Sequence, residues 1–168
     1  HTKVEAQLWD FKRTLTMWHT TGQVRDDSKI TFCEDIASFA NAKGGVLIVG
    51  VTDAIPRRIV GIEDLENKLK DAKEVLNKNM PDGLAITHFQ QVDLVDAQDG
   101  QNKTCLIIAI PQTKNVVGVK NQKDAFSYPI RLETGIARVD YGKIQSLKEG
   151  VSQENFSFIS NLYSFLND

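Results

Sequence analysis

The chain has 168 residues, 41% of them hydrophobic and 25% charged, with a formal charge of -2 at pH 7. That composition belongs to a folded globular protein and excludes a disordered one, and near-neutral charge gives no overall pull toward nucleic acid or an anionic membrane. A single domain of this length buries about two-thirds of its unfolded surface and needs no covalent or metal staple.

The cysteines, Cys33 and Cys105, lie in apolar runs and read as buried thiols, which points to a reducing, cytoplasmic setting. No CxxC, HxxxH or HExxH occurs, so no structural zinc is expected. The apolar runs are too short to span a membrane and no signal-peptide pattern opens the chain, so a membrane is not an expected partner. The chain starts at His1 without Met, and we expect a fragment of a larger protein whose other domains are partners.

Trp9 and Phe11 alternate with Asp10 and Lys12, the period of a short strand. Glu5 lies five residues before Asp10, so on one straight strand the two carboxylates face opposite ways and share a site only if the chain turns between them. Residues 14–27 read as a connection, ending in Asp26, Asp27 and Ser28 as candidate caps for a helix over Ile30 to Ala40. The run Val46 to Val51 is a buried strand, and Gly44 and Gly45 end the helix and turn the chain into it. Asp53 then stands at the carboxyl end of that strand, where α/β folds often place chemistry.

A turn with Arg57 and Arg58 follows, then a brief strand at Ile59 and Val60, and a helix from Glu63 to about Asn79 with Leu65, Leu69, Ala72, Val75 and Leu76 on one stripe. Leu84 to Val95 and Lys103 to Ile110 read as strands joined through Asp99 and Gly100 as an antiparallel hairpin. Val116 to Val119 and Tyr128 to Arg131 are shorter strand candidates, and Phe156, Ile159, Tyr163 and Leu166 line one face of a C-terminal helix over about 152–166. The expectation is a single mixed α/β domain over 1–168, core about 4–144, with a central mixed sheet flanked by helices. Gly44 and Gly45 sit between helix and strand and lack the Gly-Lys-Ser/Thr end of a phosphate loop, so ATP binding finds little support. Trp18, beside His19, is either a half-buried loop aromatic or a surface on which a base could stack.

The segments WDFK at 9–12, IASFANAKGGVLIVGVTD at 36–53, IVGI at 59–62 and YPIRLETGIAR at 128–138 together resemble the Schlafen AlbA_2 domain family over roughly Glu5 to Lys143. The resemblance implies a compact α/β or α+β domain that works with nucleic acid, RNA or DNA, and bacterial members are commonly labelled DNA-binding or transcription-regulator domains. In animal Schlafens similar cores cut transfer and ribosomal RNA through three carboxylates and a divalent ion. Carried over by position, those carboxylates are Glu5, Asp10 and Asp53, the implied ligands of Mg²⁺ or Mn²⁺ and the implied catalytic groups; Asp10 stands where the family has Glu, one methylene shorter.

Oxygen ligands of this type suit a hard cation that bridges to phosphate. Lys12 and Arg13 beside Asp10, Arg57 and Arg58 after Asp53, and Arg131 and Arg138 around the ETG turn are candidate phosphate contacts. Three readings stay open: a metal-dependent endoribonuclease acting on structured RNA, a non-catalytic DNA- or RNA-binding regulator, and a partner-binding sensing or assembly domain, with homo-oligomerisation undecided.

Overall fold

The computed structural model describes residues 7–15, 26–133 and 135–149. Glu5, Trp18, His19 and the expected C-terminal helix over 152–166 lie outside the described residues. In chain order the elements are β1 (Trp9–Lys12), α1 (Asp26–Asn41), β2 (Gly45–Val49), α2 (Leu65–Asn79), β3 (His88–Val95), β4 (Asn102–Ile110), β5 (Val119–Lys120), β6 (Phe126–Leu132), β7 (Gly135–Val139) and α3 (Tyr141–Glu149).

The expected mixed sheet is present, with four strands in the order β1-β2-β4-β3, and a second, three-stranded antiparallel sheet β5-β6-β7 accompanies it. β1 runs parallel to β2, while β2 to β4 and β4 to β3 are antiparallel. The register puts Asp10 opposite Leu47 and Lys12 opposite Val49, so these charged side chains share a sheet face with the apolar ones.

α1 packs on that face. Phe32, Ile36 and Phe39 of the helix form one cluster with Leu47, Val49, Leu106, Ile108 and Ile110 of the sheet, and each large side chain so buried is worth about 1.5–3 kcal/mol. The helix also touches α2, β5 and β6, and from Phe32 to Ala42 every residue is buried. It is therefore a central helix clasped between two sheets, which explains why its apolar residues occupy most of its circumference. The helix begins at Asp26, two residues before the latest expected cap.

At its end, Gly44 N–H donates to Phe39 O at 2.8 Å with φ +75°, and a Cβ on Gly45 would overlap the Phe39 ring. The glycine pair thus stops the helix and lets β2 begin against it. Asn41, fully buried, donates to Val117 O at 2.7 Å and Pro129 O at 2.8 Å, and accepts from Val117 N–H at 2.8 Å. One side chain fastens the second sheet and its approach segment to the central helix.

The expected hairpin forms with its turn closed by Gly100 N–H to Asp96 O, but β3 starts at His88, since residues 81–86 are turns. Ile59 makes a single bridge to Val51 in place of a strand. α3, for which no helix was expected, anchors Ile144 in a small cluster with Ala42 and Ile130. None of the described helices is long and apolar enough to cross a membrane.

Candidate nucleic-acid interface

Asp10 lies mid-strand in β1, with Oδ2 3.2 Å from Lys12 Nζ and 3.3 Å from Arg131 of β6, and its Oδ1 accepts the Phe11 N–H at 3.0 Å. Lys12 Nζ also stands 3.4 Å from Oδ2 of Asp35, a buried carboxylate on α1. Two carboxylates and two cations therefore close a seam between β1, α1 and β6. Arg131 completes it by laying its guanidinium 4.2 Å from the centre of the Phe39 ring, a cation–π contact in a largely desolvated place.

Burial raises the pKa of Asp35, helped by the charge of Asp10 and opposed by Lys12 and Arg131. Burial works to lower that of Lys12, but Asp35 and Asp10 outweigh it and hold the ammonium above its ordinary value.

Beyond β1 the chain meets the loop that carries Asp53. Gly50 and Val51 donate their N–H groups to Lys12 O, at 2.8 and 3.3 Å, and Arg57 sits 4.1 Å from the centre of the Phe11 ring. The loop closes on itself through Thr52 N–H to Arg58 O at 2.9 Å and Arg58 N–H to Thr52 Oγ1 at 2.8 Å. Because β1 and β2 are parallel, their carboxyl ends coincide, and Arg13, Arg57 and the exposed Asp53 are gathered at that end. Gln7 and Leu8, just before β1, are helical, so β1 begins at Trp9.

Arg58 is engaged by the β3–β4 hairpin, whose turn extends past this same sheet end. Its Nε and a terminal nitrogen bond Asp96 Oδ2 at 2.9 and 2.8 Å, and Lys103 joins through Asp99 at 2.6 Å. The Arg58 hydrogen bond holds the Asp96 pKa down at about 2. Arg138 pairs through two nitrogens with buried Glu34, whose Oε1 also accepts from Ser127 at 3.1 Å. These two arginines, expected to contact phosphate, are occupied in tying the hairpin to the loop and β7 to α1.

Of the three carboxylates implied as metal ligands, Asp10 and Asp53 lie among the described residues and Glu5 lies outside them. Two cations already counter Asp10, and among the described residues no three His, Cys, Asp or Glu side chains converge. Sequence reasoning missed Glu34 and Asp35. Their signal was visible: two successive carboxylates inside the apolar run from Cys33 to Ile36 demand buried partners.

Two sheets clasping one buried helix, with a charged seam beside paired parallel strand ends, define an α+β domain whose polar groups concentrate at one sheet end. The family model described as Schlafen, AlbA_2 matches residues 5–140. The chain belongs to the Schlafen AlbA_2 family, and that membership carries a nucleic-acid-related function. None of the curated proteins searched matches the chain.

Proposed function

We propose that this domain binds nucleic acid at the carboxyl ends of β1 and β2. The observation that carries the reading is the meeting of the two segments there: Lys12 O takes the N–H groups of Gly50 and Val51, and Arg57 rests on Phe11. Arg13 and Arg57 thereby flank one surface, and phosphate oxygens are the groups that clustered arginines hold best. In this reading the seam of Asp10, Lys12, Asp35 and Arg131 keeps that surface rigid across three elements. The family's divalent-ion cleavage through Glu5, Asp10 and Asp53 is not part of the reading, since Asp10 is engaged by cations of the chain itself.

The test is fluorescence anisotropy with labelled transfer RNA and single-stranded RNA and DNA over a range of salt. Binding that weakens with salt, and weakens further in Arg13→Ala and Arg57→Ala, is the expected result. Absence of binding to every probe at about 50 mM salt overturns it. Incubation with Mn²⁺ reports separately on cleavage: strand scission by the wild type, lost in Asp10→Ala and Asp53→Ala, would replace the binding module with a nuclease.

A further inference from the structure

A second surface, built from segments that the nucleic-acid reading leaves unused, carries three aromatic rings around an open cavity. The cavity has a volume of about 430 Å³, within the range of small-ligand sites, and lies between the segment 113–118, the turn after α2, the β5–β6 hairpin and the start of α3. Phe126 and Tyr128 lie nearly parallel, 17° apart with centroids at 6.5 Å, and Tyr141 meets Tyr128 edge-on at 5.3 Å. Phe126 is 46% exposed and Tyr141 53%, unusual for rings of this size in a folded domain.

Gly118 gives the platform its floor. A Cβ there would come within 2.9 Å of the Tyr128 ring and 3.0 Å of the Phe126 ring, so both rings rest directly on bare backbone. Two charged side chains line the cavity beside the polar Thr113 and Asn115: Lys114, exposed, and Asp82, exposed on the turn after α2.

We infer that this cavity takes an unpaired nucleobase of a single-stranded nucleic acid. The inference rests on the nucleic-acid reading and deepens it by naming the form of the ligand. Exposed aromatic rings such as Phe126 and Tyr141 stack on the flat face of any base. The cation of Lys114 suits the phosphate that accompanies the base, and the carboxylate of Asp82 accepts from an exocyclic amine. An aliphatic ligand would use neither charge. A paired base in a duplex has both faces covered by its neighbours and cannot enter, so single strands and loops are the substrates of this surface.

The test uses the 168-residue chain and a fluorescein-labelled single strand of about ten nucleotides, against a strand of equal length and charge built from abasic sites. The wild type is expected to bind the base-bearing strand more tightly. Tyr141→Ala and Phe126→Ala are each expected to lose about 5- to 100-fold on that strand and nothing on the abasic one, with Tyr141→Phe retaining wild-type affinity. Both side chains are exposed, so the variants should keep the wild-type melting temperature, which checks that the fold is intact. Equal wild-type binding of the two strands, unaltered affinity in the alanine variants, or a Tyr141→Phe loss as large as that of Tyr141→Ala overturns the inference and leaves nucleic-acid binding at the sheet end standing. Binding of neither strand overturns both.

Discussion

Asn41→Ala tests the claim that one buried amide holds the second sheet to the central helix. The substitution removes three hydrogen bonds of 2.7–2.8 Å and leaves Val117 N–H, Val117 O and Pro129 O without that partner in a region closed to solvent. Each buried backbone group left unpaired costs about 1–3 kcal/mol, and partial relaxation and the relief of burying no amide reduce the sum, so the expected loss is about 3–5 kcal/mol. A domain of this size has about 5–15 kcal/mol in all, and its melting temperature falls by about 2–4 °C per kcal/mol, which predicts a drop of about 6–20 °C. Urea unfolding followed by circular dichroism gives the number directly, with an unchanged slope showing that the unfolded state is not at issue. Asn41→Asp is the sharper variant. It can still accept from Val117 N–H but turns a carboxylate oxygen toward two carbonyls, so it should be at least as unstable as the alanine variant at neutral pH. A loss under about 1 kcal/mol in Asn41→Ala would mean that the side chain merely fills space, and the account of how the sheets are joined would fail.

Asp96→Asn should be less stable than the wild type at neutral pH, and the gap should close in acid. The folded carboxyl titrates near 2 against an ordinary 3.8, so its contribution is present above about 4 and is lost as pH falls toward 2; unfolding midpoints at several pH values read this, and a gap that stays constant refutes it. Lys148 behaves in the opposite range. Among the described residues its ammonium donates to Ala40 O and Thr113 Oγ1, both at 3.2 Å, and burial lowers its pKa to about 8 from 10.5. Between those values the unfolded chain binds more protons than the folded one, so wild-type stability should rise with pH relative to Lys148→Met, and parallel curves for the two proteins would refute the burial.

The parts of this fold that could be read from the chain are those whose cause is local. α1 and β2 declare themselves through periodicity, the β3–β4 hairpin through Asp99 and Gly100, and α2 through its stripe of Leu65, Ala72, Val75 and Leu76. α3 was not legible because among its described side chains only Ile144 and Lys148 are buried, too few to show a period. The second sheet escaped because β5 is two residues long and β7 pairs with β6 across a turn that reads equally well as a loop. The site suffered for a different reason. Glu34 and Arg138 are 104 residues apart, and Arg131 reaches Asp10 only because β6 packs beside α1, so no spacing rule joins them.

The fate of the cations also bears on how binding should respond to salt. Of the six that the sequence offered to phosphates, Lys12 is engaged by Asp10 and Asp35, Arg58 by Asp96 and Asp99, Arg131 by Asp10 and Arg138 by Glu34. Basic segments and a net charge of -2 are therefore compatible, since the carboxylates that balance the sum sit against the arginines that seemed available. Six phosphate contacts on a single strand would give a log–log salt slope near -4, at about -0.7 per phosphate. Arg13 at the exposed end of β1, Arg57 on the Phe11 ring and Lys114 at the cavity rim give a slope of only about -2, with the rest of the affinity insensitive to salt because stacking involves no counterion release. Anisotropy titrations at several salt concentrations measure this. A slope near -4 would show that the ion pairs open on binding and that the seam, rather than staying a clamp, is itself the phosphate site.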